Sequence, residues 1–370
     1  MIKKISLTVL FICLLLVFLS PATVWADGEL AVTDSSAEMD FPMRLIFEIS
    51  AGSNVDITDI RLCYVVNRLE HVQVFSEIYV GFAPSKTVTT QWVLDMRKTG
   101  GLPPGSSVDY WWQVTDAGGK EVHTVPARIE IEDNRYDWRR ITEGKVTLFW
   151  YEGDNAFAEE LMAAAQTALS RLAENTGAEL GSPVRFYIYA NSTDLRGSMI
   201  YPQEWTGGVA FTRYGIIAIG IEPNLHDVDW GKRVIAHELT HLVIHQVTFN
   251  PYSDLPTWLD EGLAMTAEGE LESGFTNALA RARSDGTLIS VRSLASPFSA
   301  YADESLLAYA ESYKLVEYLI DNYGREEMFE LLNTFRQGSG YDEALEKVYG
   351  FDMDGLNTLW RASLETVAVP

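Results

Sequence analysis

Cysteine is nearly absent from this chain. Two occur in 370 residues, at Cys13 and Cys63, which is too few for a disulfide framework or a Cys-rich zinc ribbon. Cys63 lies within an apolar stretch, so we expect a buried structural thiol rather than a reactive one. Internal repeats and low-complexity tracts are also missing from the sequence, which excludes repeat architectures.

Basic residues are scarce as well. Lys and Arg number 28 against 52 Asp and Glu, for a net charge of −24. A chain this acidic has no electrostatic means of holding nucleic acid or an anionic membrane face, so we expect neither as a partner. Hydrophobic residues at 47% and charged residues at 22% exclude wholesale disorder. At roughly 150 residues per domain, the length predicts two domains.

Long hydrophobic runs occur only at the N-terminus. Lys3 and Lys4 precede fifteen almost entirely apolar residues, and small residues stand around position 26. This pattern predicts a secretory signal peptide over residues 1–26, since the run is shorter than the roughly 20 residues that span a bilayer. An uncleaved anchor is the alternative. We expect a secreted or extracytoplasmic protein with no transmembrane helix after signal removal.

The first half of the mature chain has the pattern of a β protein. We interpret residues 27–40, which are acidic and polar, as a linker. Residues 41–132 contain short runs rich in Val, Ile, Thr, Tyr and Trp, separated by turns such as 51–54, which predicts an all-β sandwich domain. The stretch 108–116 resembles strands of immunoglobulin-like and fibronectin-type modules. The predicted strands cover residues 43–49, 60–66, 72–80, 86–93, 107–115 and 123–131.

The second half changes character after a charged linker, residues 133–145. Strands are predicted at 146–151, 184–190 and 216–221, and helices dominate from Asp227 onward. Asp154 can cap a helix that ends before Gly177, and further helix ends are marked by Gly324, Gly338 and Gly350. Residues 146–370 therefore read as an α+β domain with a helical C-terminal part.

A zinc-binding pattern lies in the most apolar of these helices. Residues 237–241 read HELTH, and histidines at i and i+4 share one helix face, so both imidazoles can reach one ion. Glu238 is close enough to touch a water at such an ion. Apolar flanks predict burial, and burying these three side chains is costly unless something pairs them. His245 is too far along the helix to share the ion with His237.

The third ligand is sought in the segment PTWLDEGLA, residues 256–264. Glu261 follows His241 by 20 residues, and a proline-containing loop lets a second helix pack back onto the first. An exposed acid at a helix start is the alternative interpretation of this glutamate.

Taken together, H-E-x-x-H, a short loop and W-L-x-E-G resemble the gluzincin metallopeptidases. These include the thermolysin-like fold, the zinc aminopeptidases of the leukotriene-hydrolase type and the peptidase MA-like proteins. The resemblance implies Zn²⁺ bound by His237, His241 and Glu261, with Glu238 as general base. Asp260 stands where the aminopeptidases often have Asn. The resemblance covers roughly residue 146 to the C-terminus. It also implies that an edge strand near 207–211 pairs with the substrate.

A further match begins at Tyr309. The run YAESYKLVEYL resembles the Y-E-K-G helix start of the same aminopeptidases, although Glu311 and Ser312 replace the Lys and Gly. The resemblance implies that Tyr309 stabilises the oxyanion, with Tyr313, one turn on, as the second candidate. Core packing of both tyrosines is the third interpretation.

The predicted function is therefore an exported zinc metallopeptidase that acts on a peptide or protein substrate. Endopeptidase and aminopeptidase activity both stay open, because the amine-recognition motif of the aminopeptidases is absent. A catalytically inert peptidase-fold binding or scaffolding protein of the cell envelope is the alternative. A β-sandwich adhesin is a third hypothesis, which an exposed aromatic patch involving Trp92, Trp111 and Trp112 would favour. The β domain would then provide cell-surface association.

Overall fold

The computed structural model describes residues 29–69, 74–204, 206–299 and 301–366. In these ranges an N-terminal β-sheet region precedes a mixed α/β region whose C-terminal part is helical. The predicted signal peptide, residues 1–26, lies outside the described residues. Within the described ranges, every helix is too short or too polar to cross a membrane.

The N-terminal region is one seven-stranded antiparallel sheet organised around a single long strand. The first half of this strand, β2, pairs with β1 and β4, and its second half pairs with β3 and β5. Both halves direct alternate side chains into one apolar core, which includes Phe47 and Leu62. The strands are β1 (Ala31–Asp40), β2 (Arg44–Val66), β3 (Phe75–Tyr79), β4 (Ser85–Asp95), β5 (Ser107–Asp116), β6 (Glu121–His123) and β7 (Ala127–Glu130).

Three local predictions in this region were wrong. The predicted linker 27–40 contains strand β1, because backbone pairing with β2 needs no apolar side chains on an edge strand that is largely exposed. The predicted turn at 51–54 lies inside β2, which continues through a register irregularity between Gly52 and Ile57. The predicted strand 123–131 is divided into β6 and β7 around Pro126, which has no N–H for the ladder. The immunoglobulin-like character of the region stays a prediction.

The second region is built on a five-stranded sheet in the order β11-β12-β10-β9-β8. The three central strands are parallel, whereas β8 and β11 run antiparallel to their neighbours at the two edges. The strand β11 is therefore an edge strand, as expected near residues 207–211. The strands are β8 (Arg139–Glu143), β9 (Val146–Trp150), β10 (Val184–Tyr189), β11 (Gly208–Phe211) and β12 (Ile216–Gly220).

Helices cover one face of this sheet and form the C-terminal part. The first begins where the Asp154 carboxylate accepts a hydrogen bond from Phe157 N at 3.0 Å, and ends at Gly177, whose φ is 73°. Both signals confirm the sequence prediction. The helices are α1 (Asn155–Thr176), α2 (Ser192–Arg196), α3 (Leu225–Thr248), α4 (Thr257–Glu268), α5 (Ser273–Asp285), α6 (Val291–Leu294), α7 (Ala302–Tyr323), α8 (Arg325–Arg336), α9 (Tyr341–Tyr349) and α10 (Met353–Thr366).

The predicted linker 133–145 is an integral part of the fold. Asp133 is buried and accepts a hydrogen bond of 2.8 Å from the Tyr189 hydroxyl. Trp138 packs edge-on against the same tyrosine ring, and residues 139–143 form β8. The linker prediction failed because the charged residues of β8 are exposed, while the aromatic residues Tyr136 and Trp138 pack on the second face of the sheet.

The two regions make direct contact beside the end of β11. Leu69 N donates a hydrogen bond of 2.7 Å to Arg213 O, in the 3₁₀ turn 212–214 that follows β11. Gly105 lies beneath the Tyr187 hydroxyl so closely that a Cβ atom would collide with it. The β-sheet region thus supports the turn that ends the edge strand.

Candidate metal centre

The two histidines of the H-E-x-x-H pattern lie one turn apart on α3. Their Nε2 atoms are 3.1 Å from each other, and their side chains are 17% and 13% exposed. The opposite face of the same turns is apolar, with Leu239 and Leu242 fully enclosed between the sheet and neighbouring helices. Burial of that face fixes the rotation of α3, and therefore the direction in which His237 and His241 project.

The second helix, α4, brings Glu261 to the same place. Glu261 Oε2 lies 3.3 Å from His237 Nε2 and 3.4 Å from His241 Nε2. The next residue, Gly262, packs against the backbone carbonyl of Ser312 on α7, where any Cβ would clash. The glycine of the W-L-x-E-G pattern therefore allows α4 and α7 to approach closely enough to position the glutamate.

The three side chains fit a zinc ion. Ligands placed tetrahedrally at 2.0–2.1 Å from zinc lie roughly 3.3 Å from one another, and the three donor atoms are separated by 3.1, 3.3 and 3.4 Å. Glu261 Oε2 is buried and has no hydrogen-bond partner among the described residues. Two imidazoles and a carboxylate are a donor set that zinc accepts. The described residues contain this one cluster of metal-ligand type.

Charges within the cluster compensate each other. Burial lowers the pKa of His237, but the contacts with Glu261 and Glu268 outweigh burial and raise it to about 9. Burial raises the pKa of Glu261, and the two histidines reverse this and hold it far below its usual range. Protons on the imidazoles thus occupy a place that a divalent cation can take, since metal binding displaces protons from its ligands.

Two further carboxylates contact the outer nitrogens of the histidines. Glu268 Oε1 lies 2.8 Å from His237 Nδ1, and Asp260 Oδ1 lies 3.1 Å from His241 Nδ1. Glu268 also faces Arg233 at 3.4 Å. Such carboxylates fix the tautomer in which Nε2 is free to bind a metal. Glu268 was missed from the sequence; its position seven residues after Glu261, two turns along the same helix face, was the available signal.

Glu238 lies between α3 and the edge strand. A Cβ on Gly208 would stand 3.2 Å from Glu238 Oε1, so only glycine leaves the carboxylate this space. Burial raises the pKa of Glu238, opposed by the neighbouring histidines and by the backbone N–H of Ala210. A buried carboxyl beside a metal site is suited to accepting and returning a proton.

The two candidate tyrosines occupy different surroundings. The Tyr309 ring lies 6.4 Å from the His237 ring, and burial together with the carboxylates of Glu261 and Glu238 raises its pKa. Burial also raises the pKa of Tyr313, but the acids that add to the effect are Glu317, Glu270 and Asp321, away from the cluster. The structure thus brings Tyr309, and not Tyr313, to the metal centre.

A polar cleft of about 760 Å³ extends from the cluster along the C-terminal end of α3. His245, excluded as a ligand, lines this cleft one turn beyond His241. Asp260 and the turn 212–214 form part of the opposite wall. A second cleft of about 630 Å³ lies at the other end of α3, beside Trp230 and Arg233.

The family model of the peptidase MA superfamily matches residues 164–366, more than half of the chain. This protein belongs to the peptidase MA superfamily. The match begins inside α1 and includes α3 and α4, which carry the cluster, and α7, which carries Tyr309. Membership supports the gluzincin-like resemblance, while the closer relation to leukotriene-hydrolase-type aminopeptidases stays a prediction. No protein of curated function matches the chain.

Solved structures show only a distant likeness to this peptidase MA member. OgpA from Akkermansia muciniphila, in complex with an O-glycopeptide, has 12% identity and a TM-score of 0.21; the match covers 30% of this chain and 32% of OgpA. A two-domain M1 zinc metallopeptidase bound to L-arginine has 12% identity and a TM-score of 0.40, with 90% of this chain and 95% of that chain covered. The present chain thus spans about a third of OgpA, and nothing about its substrate follows.

Proposed function

We propose that this protein is an exported zinc metallopeptidase that hydrolyses peptide bonds. The proposal rests above all on the triangle of donor atoms from His237, His241 and Glu261. Membership in the peptidase MA superfamily supports it, and the signal-peptide pattern of residues 1–26 supports export. His237, His241 and Glu261 would hold the metal. Zinc in such a site acts as a Lewis acid that polarises a carbonyl group and acidifies water.

Glu238 is the proposed general base. Its carboxylate takes a proton from the attacking water as the new C–O bond forms at the peptide carbonyl. The same proton is delivered to the nitrogen when the C–N bond breaks, so the products are a carboxylate and an amine. Placement of Glu238 beside Gly208 supports this role, because the free edge of β11 is where an extended substrate backbone can pair.

Tyr309 is the proposed donor to the carbonyl oxygen. That oxygen gains negative charge in the tetrahedral transition state, and a hydroxyl held near it stabilises the charge. A raised pKa keeps the Tyr309 hydroxyl protonated, which supports a donor role.

The β-sheet region is proposed to be an immunoglobulin- or fibronectin-like sandwich that associates with the cell envelope or surface. The expected partner of the whole protein is a peptide or protein substrate, without nucleic acid. Trp112 is fully buried in the core of this region, which counts against its part in the exposed aromatic patch that the adhesin hypothesis requires.

The decisive experiment measures zinc and hydrolysis in the mature chain, residues 27–370. Elemental mass spectrometry is expected to find about one zinc per chain in the wild type and in Glu238→Gln. Peptide hydrolysis is expected to fall by about 10²–10⁴-fold in that variant, because it loses the base. Glu174→Gln, an exposed change on α1, is the matched control and is expected to keep full activity. Zinc-free wild-type protein without hydrolysis would favour the inert binding or scaffolding alternative.

A further inference from the structure

The two clefts lie at opposite ends of one face of α3, with the metal cluster between them. In chain order along α3, Trp230 and Arg233 line the cleft of about 630 Å³, called the first cleft below. His245 and Thr248 line the cleft of about 760 Å³, called the second. These residues follow the spacing of three and four that places side chains on one side of a helix, and His237 shares that face. The cluster therefore lies between the two clefts, and this face of α3 from Trp230 to Thr248 is called the groove below.

The edge strand follows the same path. One cleft contains Gly220, whose N–H bonds Gly207 O just before β11, and the other contains Thr212 just after it. Among the described residues, no strand pairs with the outer edge of β11. A peptide that pairs with this edge therefore leads into one cleft at each end of the strand.

The length of the groove can be compared with that of an extended peptide. From Trp230 to Thr248 a helix advances about 27 Å at 1.5 Å per residue. An extended chain covers about 3.3 Å per residue, so the groove accommodates about eight residues. Trp230 precedes His237 by seven positions and Thr248 follows His241 by seven. The groove thus offers similar length on both sides of the reacting bond.

Removal of terminal residues requires a group that captures a chain end, and the acids along the groove are already engaged. Asp260 faces His241, and Glu272 faces Arg233 at 3.3 Å. Three other acids of the first cleft have partners of their own on the protein: Glu222 and Asp227 with Asn224, and Asp229 with Lys232. In the second cleft Asp254 stands exposed on the outer wall. Among the described residues that line the two clefts, an N-terminal amine thus meets no free, buried carboxylate.

We infer that the protein is an endopeptidase, which binds about eight residues of extended, unfolded polypeptide along α3 and β11 and cleaves inside the bound segment. The inference rests on the proposed zinc-peptidase function. It names the substrate class that the groove fits, and it answers which of the two peptidase types the cluster serves.

The test uses the zinc-loaded full mature chain and a library of internally quenched decapeptides. One half is N-acetylated and C-amidated, and the other half has free ends. Aminoacyl-coumarin amides report aminopeptidase activity. We expect blocked and free decapeptides to be cleaved with kcat/KM values within about threefold, and the coumarin amides at least 100-fold more slowly. Cleavage that requires a free amino or carboxyl end would overturn the inference. Zinc-loaded protein inactive on all of these substrates would instead contradict the proposed function.

Shortening the best decapeptide one residue at a time from each end tests whether substrate residues bind in both clefts. We expect kcat/KM to fall on truncation from both ends. Thr212→Trp fills the cleft beyond His241. In this variant, we expect truncation at one end of the peptide to have no further effect on kcat/KM, while truncation at the other end still lowers it. Thr87→Trp, an exposed change on β4, is the matched control. Dependence on a single end in the wild type would show that the groove is closed on one side and would refute an endopeptidase.

Discussion

Asp116 of the β-sheet region and two acids of the peptidase region, Glu261 and Glu311, differ in how fully their buried carboxylates are hydrogen-bonded. Asp116, buried in the first region, accepts hydrogen bonds from the Ser53 hydroxyl and from two backbone N–H groups of its own turn. In the second region Glu261 and Glu311 are enclosed, and each keeps one carboxylate oxygen without a hydrogen-bond partner among the described residues.

The energetic difference between these cases is large enough to matter. An unsatisfied buried polar group costs about 1–3 kcal/mol, and a whole domain is stable by only about 5–15 kcal/mol. The hydrogen bonds of Asp116 therefore serve the fold. The unpaired oxygens of Glu261 and Glu311 reduce stability, which we attribute to a role in holding a metal or positioning a helix. Four substitutions test whether this contrast is real.

The largest effect is expected from Glu261→Ala. Loss of one of three ligands should leave little zinc bound at concentrations that saturate the wild type. Saturation at 1,000 times Kd stabilises a folded protein by about 4 kcal/mol. Removing zinc with a chelator should therefore lower the melting temperature of the wild type and leave that of the variant unchanged. Equal zinc-dependent stabilisation in both proteins would mean that Glu261 serves the fold, as Asp116 does.

Tyr309→Phe is expected to reduce kcat by about 10²–10³-fold with zinc content unchanged, since one donor to the transition state is lost. Tyr313→Phe is the matched control on the same helix, and its kcat should stay within about twofold of the wild type. Steady-state kinetics on the best decapeptide measures both. A larger loss of kcat in Tyr313→Phe than in Tyr309→Phe would identify Tyr313 as the functional residue. It would also contradict the assignment of Tyr309 alone to the metal centre.

Glu311→Gln tests the cost of a buried carboxyl by pH. Burial raises the pKa of Glu311 to about 7, above its value of about 4.3 in an unfolded chain. The folded state then holds the proton more tightly, so this group's stabilising contribution is complete below about pH 4 and is lost as pH rises to about 7. The free energy of unfolding of the wild type should therefore fall by an amount on the order of 2 kcal/mol between about pH 4 and pH 7. In Glu311→Gln this fall should be absent.

Denaturant unfolding at several pH values measures the decline. Ile289 N, which donates to Glu311 Oε1 at 3.0 Å, can still donate to the amide oxygen of Gln, so the variant should fold. Glu304→Gln, an exposed change on α7, should leave the pH dependence as it is. If the free energy of unfolding changed with pH in the same way in the wild type and in Glu311→Gln, the Glu311 carboxyl would be solvated or paired in solution.

The smallest effect is expected from Glu268→Gln. Gln can still accept a hydrogen bond from His237 Nδ1 but lacks the charge, and loss of such an outer partner weakens metal binding by about 10–100-fold. Glu272→Gln is the matched control, because Glu272 also faces Arg233 but does not contact the histidine. Zinc affinities from competition with a chromophoric chelator compare the two. Equal affinities would mean that Glu268 forms an ordinary ion pair.

The sequence was most informative where function requires fixed residues at fixed spacing. H-E-x-x-H places two imidazoles on one face of any helix, so their approach follows from geometry alone. The structure then brings Glu261 within 3.4 Å of both. Their role as ligands stays a prediction. Spacing places Glu268 on the helix face of Glu261, but its contact with His237 depends on how two separate helices cross.

Linker predictions failed for a related reason. Residues 31–40 and 139–143 carry many polar and charged side chains, yet both segments are strands. Edge strands are held by backbone hydrogen bonds, which side-chain composition does not reveal. In the same way, β2 passes through a segment rich in turn residues because four neighbouring strands pair with it.

By itself the sequence determined the order of β and helical regions, the helix ends at Asp154 and Gly177, and the residues able to hold a metal. These depend on local propensity and short spacing. Only the tertiary structure decided that Tyr309 faces the cluster and Tyr313 does not, and that a cleft lies at each end of α3. Such features depend on how α3, α4, α7 and β11 pack together, and packing is fixed by contacts between residues far apart in the chain.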